Sequence, residues 1–491
     1  MQLLKKFPYR KWIRRVAWAV LPLLAVFSLV CYVLIFVRPT NAGLEFGNPL
    51  RIPTELRASK QDGRSRFELN VNESAFEFKP GRPTATAGVN GPYLGPTLRL
   101  ERGETVELIV KNELEEETSM HWHGMHVPAR MDGTPHQTIS PGESWNATFD
   151  VDQQAATLWY HPHPHGRTGR QSYDGIAGLI LIDDENSRSL DLPDAYGVDD
   201  IPIILQDRIF DSEGEFDFAI NQGAVYGDEV LVNGTWSPEL VVEARLIRFR
   251  LLNGSNARTY HVGFADNRSF HQIATDGGFL AQPYATRRVA LSPGERAEIL
   301  VNFSGQESVL LKSFPEAGLL EVAESFFSGT GSGHFDLLRI RTVPATRESH
   351  DLPERLNHIR RIGESEASLT RQMVFSGFAG QGRRGPANSV DDRRAQPQGD
   401  RRAGPRINGK LMDMHRVDEV VRLGDTEIWE LVNRTGQAHP FHLHLVQFQI
   451  LDRNGREPVG PETGWKDTVL VHAGERVRVI MPFKRYADPQ T

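Results

Sequence analysis

Short apolar or alternating runs, separated by Gly, Pro, Asn and Asp, make up most of the 491-residue chain after residue 53. No long segment there has the 3.6-residue apolar period of an amphipathic helix, whereas alternation with period two is typical of strands with one buried face. The pattern therefore predicts an all-β protein built from sandwich domains.

A recurring phrase predicts three copies of one sandwich domain. A turn and an apolar strand are followed by a glycine next to an acid and by a further alternating strand, around Leu94, more loosely around Asn233, and again around Asn408. Two related turns, Ser292-Pro293-Gly294-Glu295-Arg296 and Ala473-Gly474-Glu475-Arg476, each precede an alternating strand. We place the domains at residues 51–190, 195–345 and 365–491.

The N-terminus departs from this pattern and predicts export. Residues 1–15 carry six basic and no acidic side chains, and residues 16–37 then run for 22 positions without a charge. At about 1.5 Å per helical residue this run covers roughly 33 Å, enough to cross a bilayer. Because the basic residues precede the run, we expect residues 1–42 to form a cytoplasmic stub and a transmembrane signal anchor, with the body outside the cytoplasm. A signal sequence cleaved near Ala42 is the alternative.

Composition and charge exclude several function classes. Lys and Arg number 56 against 63 Asp and Glu, so no overall basic field attracts nucleic acid. The only cysteine is Cys31, inside the apolar run, so the body offers no disulfide, zinc–thiolate cluster or catalytic thiol. Residues 383–406 are rich in Arg and Gly and nearly devoid of apolar side chains, which predicts a solvated loop within the third domain.

Paired histidines are the main chemical signal. The 17 histidines include four His-x-His pairs, several times the number that random scatter would give; they are His121/His123, His161/His163, His163/His165 and His442/His444. On a strand, residues i and i+2 share a face, so a pair can offer one imidazole to each of two neighbouring metals. Neutral imidazole favours copper, zinc, iron and nickel over calcium and magnesium. The pairs lie in the first and third predicted domains, which predicts a metal cluster between them and a spacer role for the middle domain, without a copper site of its own.

Three motifs resemble copper-ligand motifs of the multicopper oxidases. They are His121-Trp122-His123-Gly124, Trp159-Tyr160-His161-Pro162-His163-Pro164-His165-Gly166 and His439-Pro440-Phe441-His442-Leu443-His444. The stretches His165-Gly166-Arg167-Thr168-Gly169-Arg170-Gln171 and Gly464-Trp465-Lys466-Asp467-Thr468-Val469 are most similar to the bacterial copper efflux oxidases, with bilirubin oxidase and laccases further away. The resemblance covers residues 51–491 and implies three consecutive cupredoxin-like Greek-key β-sandwich domains.

The resemblance also implies roles for individual residues. It makes His121 and His442 the type 2 copper ligands, His123, His161, His163 and His444 part of the type 3 pair, and His439 a type 1 ligand. Asp132 matches an acid that assists proton delivery to oxygen, although Met131-Asp132-Gly133-Thr134 is also an ordinary turn sequence. His165 has no ligand role in the family. Four coppers are implied for a complete enzyme.

The activity implied is that of a multicopper oxidase. Such an enzyme takes single electrons from a small reductant, either a phenolic or other organic molecule or a metal ion such as Cu(I), and reduces O₂ to water with four of them. We expect a monomer that is anchored to the cell membrane through residues 16–37, has its body in the periplasm or extracellular space, and has no nucleic-acid partner.

One family motif is absent from the sequence. A His-Cys-His segment, which supplies the type 1 thiolate and two type 3 histidines, is expected shortly after Met481-Pro482-Phe483. One hypothesis is a truncated form of a normal oxidase sequence, which the seven intact ligand positions favour. The other is a cupredoxin-fold structural or binding protein of the cell envelope that has lost type 1 copper. The 491 residues alone are expected to be inactive under either hypothesis. Two-domain copper nitrite reductases fit less well, because three repeats are present.

Overall fold

The computed structural model describes residues 40–220, 224–315, 333–377 and 404–487, together with Val20 and Pro22. Strands dominate the described ranges between residues 40 and 487, and the two α-helices there are short: α1 (Thr168–Asp174) and α2 (Glu185–Ser189). Single 3₁₀ turns lie at Ala129–Met131, Glu364–Glu366 and Gly460–Thr463. The prediction of an all-β protein is confirmed.

The first two sheets are formed within residues 55–183. The strands up to this point are β1 (Asn48–Pro49), β2 (Glu55–Leu56), β3 (Ser59–Gln61), β4 (Arg64–Lys79), β5 (Arg82–Val89), β6 (Thr97–Glu101), β7 (Thr105–Asn112), β8 (His121–His123), β9 (Ser144–Asp150), β10 (Ala156–His161) and β11 (Gly178–Asp183). One sheet has the order β2-β6-β11-β10-β8, and the other has the order β3-β4-β7-β9 with β5 paired to β4. In β4 the buried Phe67, Leu69 and Val71 alternate with more exposed polar residues, as period-two patterning requires.

The middle pair of sheets is the largest. Its strands are β12 (Asp200–Arg208), β13 (Glu229–Val232), β14 (Thr235–Trp236), β15 (Pro238–Glu243), β16 (Leu246–Asn253), β17 (Tyr260–Phe264), β18 (Phe270–Thr275), β19 (Gly278–Thr286), β20 (Val289–Leu291), β21 (Arg296–Asn302), β22 (Ser308–Ser313) and β23 (Phe335–Val343). The sheet orders are β1-β15-β23-β22-β17-β20 and β14-β13-β12-β16-β21-β18-β19. Every residue of β12 and β16 is buried, because Ile204 and Leu252 on their outer face pack against Trp159 and Leu179 of the first sheets.

The third pair of sheets begins at Leu369. Its strands are β24 (Leu369–Ser376), β25 (Arg406–Ile407), β26 (Thr426–Asn433), β27 (His439–His442), β28 (Gln449–Arg453), β29 (Thr468–Val471) and β30 (Arg476–Pro482). A five-stranded sheet, β25-β24-β26-β30-β28, lies beside the two-stranded β27-β29. Leu431, Val469 and Val477 are fully buried in the core between them.

The three pairs of sheets follow the chain in the order of the three predicted domains, and the exact domain boundaries stay predictions. Most of the predicted loop at residues 383–406 and of the predicted anchor at residues 16–37 lies outside the described residues. Within the ranges given above, the structure contains no helix that is both long and apolar enough to cross a membrane.

Candidate metal centre

Two of the histidine pairs meet through the antiparallel pairing of β8 and β10. His161 lies directly opposite His121, and Trp159 lies opposite His123. The two-residue spacing of His121 and His123 turns both rings to the same face of β8, where both are buried. His163 follows β10 after Pro162, and its backbone N–H donates to the hydroxyl of Ser119.

The third pair arrives from β27. His442 is the last residue of that strand, paired with Thr468 of β29, and His444 lies two positions further on. The His444 ring stacks on His121 with centroids 3.9 Å apart, and the His442 ring stacks on His123 with centroids 3.6 Å apart. The pair from the third sheets therefore lies face to face with the pair from the first.

Six histidines converge in this way, which we call the histidine cluster: His121, His123, His161, His163, His442 and His444. The other ring contacts within it have centroid distances between 4.9 and 5.9 Å. Ligand atoms lie within 4.8 Å of one another in three groups: His121 with His123 and His161, His121 with His442 and His444, and His123 with His442 and Asp467. Such spacing is suited to metal ions that lie close together, each held by different rings.

One nitrogen of most rings is fixed by an acceptor on the outside of the cluster. His121 Nδ1 donates to the backbone oxygen of Asp132 at 3.0 Å. His444 Nδ1 donates to Oδ2 of the same residue at 2.7 Å. His161 Nδ1 donates to the Pro162 carbonyl at 2.9 Å, and His442 Nδ1 donates to the Asp467 carbonyl at 3.0 Å. Because carbonyl and carboxylate oxygens only accept, these contacts place the ring proton on Nδ1.

The other nitrogens face inward as lone pairs. His121 Nε2 and His442 Nε2 are buried without a hydrogen-bond partner. His123 Nδ1 and His161 Nε2 lie 3.3 Å apart. Buried acceptors without a donor are costly, and a metal cation satisfies several of them at once. A donor set made only of imidazole nitrogens fits copper.

Burial keeps the rings in the form that binds metal. Desolvation, reinforced by neighbouring histidines, lowers the pKa of His123 and His161 well below the ordinary value. Burial lowers the pKa of His163 to about 4 and that of His444 to about 3. These imidazoles are therefore neutral near pH 7, and their lone pairs are available without loss of a proton.

Asp132 lies beneath the cluster, fully buried, just after the 3₁₀ turn Ala129–Met131. Its backbone and carboxylate hold His121 and His444 from two different sheets, so it is both a turn residue and a contact of the cluster. Burial alone would raise the pKa of Asp132, but the adjacent His121 and His444 hold it well below its usual range. The turn is tight, since a Cβ on Gly133 would lie 1.7 Å from the Met120 carbonyl oxygen.

Two further contacts of the cluster were not predicted. Asp467 Oδ1 lies 3.3 Å from His123 Nε2 and 3.5 Å from His442 Nδ1. The Thr468 hydroxyl is 3.2 Å from each of the same two nitrogens and donates to Asp467 Oδ1. Burial alone would raise the pKa of Asp467, but the Arg296 guanidinium holds it well below its usual range. The only sequence signal for these residues was the stretch from Gly464 to Val469.

His439 lies apart from the cluster. It is three positions before His442 on β27, so the two rings leave opposite faces of the strand. Its Nε2 is 2.7 Å from the Thr435 hydroxyl, and the ring borders a cavity of about 190 Å³ lined partly by Phe375 and Phe441. His165, for which the family resemblance implies no ligand role, is exposed.

Family models described as multicopper oxidase match residues 70–187 and 386–487. Among curated proteins, the cell division protein FtsP of Escherichia coli is 35% identical over 452 residues, with 90% of this chain and 89% of FtsP covered. Multicopper oxidase mco of Staphylococcus epidermidis is 32% identical over 439 residues, with 88% and 86% covered.

Solved structures give the same picture. The laccase-like multicopper oxidase CueO from an Ochrobactrum species is similar with a TM-score of 0.78 and 35% identity, covering 90% of this chain and 94% of that one. The McoA multicopper oxidase of Aquifex aeolicus is similar with a TM-score of 0.77 and 30% identity, at the same coverage.

Proposed function

The chain belongs to the multicopper oxidase family and has its all-β cupredoxin-like fold, and from this premise we propose that it acts as a copper oxidase that passes electrons from a small reductant to O₂. The family implies copper binding. The observation that carries the proposal is the histidine cluster, whose buried inward nitrogens His121 Nε2 and His442 Nε2 lack any hydrogen-bond donor.

The histidine cluster would hold a type 2 copper through His121 and His442 and contribute His123, His161, His163 and His444 to a type 3 pair. Bound copper supplies the one-electron transfers and the reduction of O₂. The chain's own part is to fix each ring in one tautomer, through the outer acceptors described above, and to exclude water around it. Four coppers per molecule in the active enzyme are part of the proposal.

Asp132 is proposed to move protons to the site. Its Oδ2 accepts from His444 Nδ1, while Oδ1 is buried without a hydrogen-bond partner, 3.2 Å from His121 Nδ1. Protonation at Oδ1 would be transient, because His121 and His444 hold the pKa of this carboxyl well below its usual range, so the group would pass a proton on rather than keep it.

Electron entry is proposed at His439. The ring lies on the opposite face of the strand that carries His442, so a type 1 centre there would be joined to the cluster through a few residues of β27. That centre also needs a thiolate, and no residue from 40 to 491 is a cysteine.

Location and partners complete the proposal. The body is proposed to lie outside the cytoplasm, anchored through residues 16–37, as a monomer whose partners are O₂ and a small organic or metal-ion reductant. Nucleic acid is not among the proposed partners, because the net charge is −7.

A second candidate function is a non-catalytic binding role in the cell envelope. It is favoured by the similarity to the cell division protein FtsP, which at 35% identity equals that to the CueO structure. The two candidates differ in whether copper is bound, since a structural role does not require six converging imidazoles.

Copper content tests the proposal. The purified 491-residue protein, dialysed against Cu(II) and then freed of loose metal, should retain copper at the histidine cluster, measured by elemental analysis. The His121→Ala/His442→Ala variant should lose most of it, whereas His165→Ala, at an exposed ring in the same motif as His163, should not. Oxygen uptake with a phenolic dye or Cu(I) should appear only when a His-Cys-His segment is supplied. Retention of no copper by the unaltered protein would leave the second candidate.

A further inference from the structure

One buried side chain of the middle sheets holds Asp467, a contact of the histidine cluster. Arg296, the first residue of β21, belongs to the turn Ser292-Pro293-Gly294-Glu295-Arg296, which in the sequence served only as a marker of the repeat. Its guanidinium is fully buried and forms a two-pronged ion pair with Asp467, at 2.8 Å to Oδ1 and 2.6 Å to Oδ2. The prediction that the middle domain is only a spacer is therefore incomplete.

All five N–H groups of this guanidinium are engaged. Besides the two bonds to Asp467, Nε donates to the Thr157 carbonyl, Nη1 to the Gly294 carbonyl and Nη2 to the Asp276 carbonyl, each at 3.0 Å. Thr157 is on β10, the strand that ends in His161. One side chain thus connects the first, middle and third pairs of sheets, and its fork fixes both oxygens of Asp467 in one orientation.

The backbone around this ion pair is packed too closely for a different arrangement. A Cβ on Gly124, directly after His123, would lie 2.7 Å from Asp467 Oδ2 and 2.8 Å from Arg296 Nη2. A Cβ on Gly294 would lie 3.1 Å from Cε1 of the His123 ring. The turn that carries Arg296 therefore borders the His123 ring directly.

Asp467 transmits this orientation to two rings. Its Oδ1 and the Thr468 hydroxyl face His123 Nε2, which requires the proton of that ring on Nε2 and leaves Nδ1 as the lone pair toward His161. Its carbonyl oxygen accepts from His442 Nδ1 and leaves Nε2 inward. His123 therefore presents Nδ1 to the inside of the cluster, whereas His442, which stacks on it, presents Nε2.

We propose that Arg296 is a positioning residue for the metal-binding histidines: by fixing Asp467, it sets the tautomer and orientation of His123 and His442. This inference rests on the proposed function for its metal, but the ring geometry that it predicts exists without copper.

The test compares Arg296→Lys with Arg250→Lys. Lys keeps the charge and loses the fork; Arg250 is an equally buried arginine of the same sheet, with a two-pronged pair to Asp200 at 2.7 and 2.9 Å, so it controls for loss of a buried ion pair. The metal-free readout is the ¹⁵N spectrum of ring-labelled histidine, with His123 assigned from the His123→Gln variant. We expect Nε2–H at His123 in the unaltered protein and in Arg250→Lys, and a mixture or the opposite tautomer in Arg296→Lys.

The metal readout is Cu(II) affinity, measured by competition with a chelator, together with the electron paramagnetic resonance spectrum of the bound Cu(II). Arg296→Lys should lower the affinity about 10-fold or more and alter the spectrum, since loss of such supporting contacts typically costs about 10- to 100-fold. Asp467→Asn should do the same, and the double variant should lose little more than either single one, because both act along one path.

The outcomes distinguish a failure of the positioning role of Arg296 from a failure of the proposed copper function. An unchanged His123 tautomer in Arg296→Lys overturns the positioning role, and so do additive losses in the double variant. If Arg296→Lys fails to fold while Arg250→Lys folds, the tautomer in Asp467→Asn decides in the same way. Absence of copper from the unaltered protein refutes the proposed function, and the tautomer comparison still decides the role of Arg296.

Discussion

Replacing Asp132 by Asn removes one charge from beneath the histidine cluster with almost no change in shape. In the structure Oδ2 accepts from His444 Nδ1 at 2.7 Å, and the backbone oxygen of the same residue accepts from His121 Nδ1 at 3.0 Å. The backbone contact survives the substitution. The carboxylate contact to His444 changes from a charged acceptor to a neutral one, and the longer contact of Oδ1 with His121 Nδ1, at 3.2 Å, loses its charge as well.

The expected loss is set mainly by the shorter of the two contacts, to His444. A hydrogen bond to a charged group contributes about 1.5–3 kcal/mol and a neutral one about 0.5–1.5 kcal/mol, so Asp132→Asn should cost about 1–1.5 kcal/mol of Cu(II) binding free energy. This corresponds to roughly tenfold in affinity. Asp132→Ala removes the acceptor altogether and should approach the upper end of the roughly 10- to 100-fold range for such contacts.

Chelator competition against the copper-loaded protein measures this loss. The control is Asp199→Asn, which neutralises a buried carboxylate that pairs with Arg245 in the middle sheets. It should lower the thermal unfolding temperature without changing Cu(II) affinity. If Asp132→Asn binds Cu(II) within twofold of the unaltered protein, or if Asp199→Asn loses as much affinity, the reasoning that Asp132 orients His444 is wrong.

Further predictions concern pH, the separate His439 site, backbone packing and location. The pKa of His163 is lowered to about 4 and that of His444 to about 3 from an ordinary 6.5, so the unfolded chain takes up protons first as pH falls. The free energy of unfolding should therefore be unaffected by these two rings above a pH of about 6.5 and should fall as the pH is lowered from there toward their folded-state pKa values. Urea unfolding of copper-free protein that shows equal stability at pH 7 and 4.5 would contradict this. His439→Ala should leave Cu(II) retention at the cluster unchanged, by elemental analysis, because its ring leaves the opposite face of β27; loss of all copper would refute the assignment. Gly124→Ala should lower thermal stability more than Gly103→Ala, since both have φ above +90° but only the former Cβ meets other atoms within 4 Å; equal losses would refute the packing argument. Cell fractionation should find the body outside the cytoplasm and membrane-bound, and soluble extracytoplasmic protein would exclude the anchor.

The fold class and the histidine pairs were predictable because their signals are local. Period-two alternation is visible within a few residues of β4, and each His-x-His pair is contained in three positions. Which pairs meet was not a local property: the contact of Asp132 with His444 joins residues 312 positions apart. The positions of the histidine pairs predicted a cluster between the first and third domains, and only the family resemblance added Asp132 to it.

Arg296 and Asp467 could not be recognised from the sequence. An arginine next to a glutamate after Pro-Gly is typical of a surface turn, and an aspartate between a lysine and a threonine gives no sign of burial. Their full burial depends on three pairs of sheets meeting, which no window of residues contains. In the sequence, the stretch from Ser292 to Arg296 indicated only a repeated turn, and the stretch from Gly464 to Val469 indicated only similarity to a family.

The separation of the ligands along the chain also determines when copper can be added. His161, His163 and His165 alternate within five residues, so an unfolded chain already offers a local imidazole chelate, whereas the native set exists only after segments near residues 121 and 444 have closed together. Cu(II) present during folding is thus expected to stabilise unfolded molecules by occupying the local chelate. Refolding in the presence of a chelator, followed by copper, should give a higher yield of metallated protein than refolding with copper from the start.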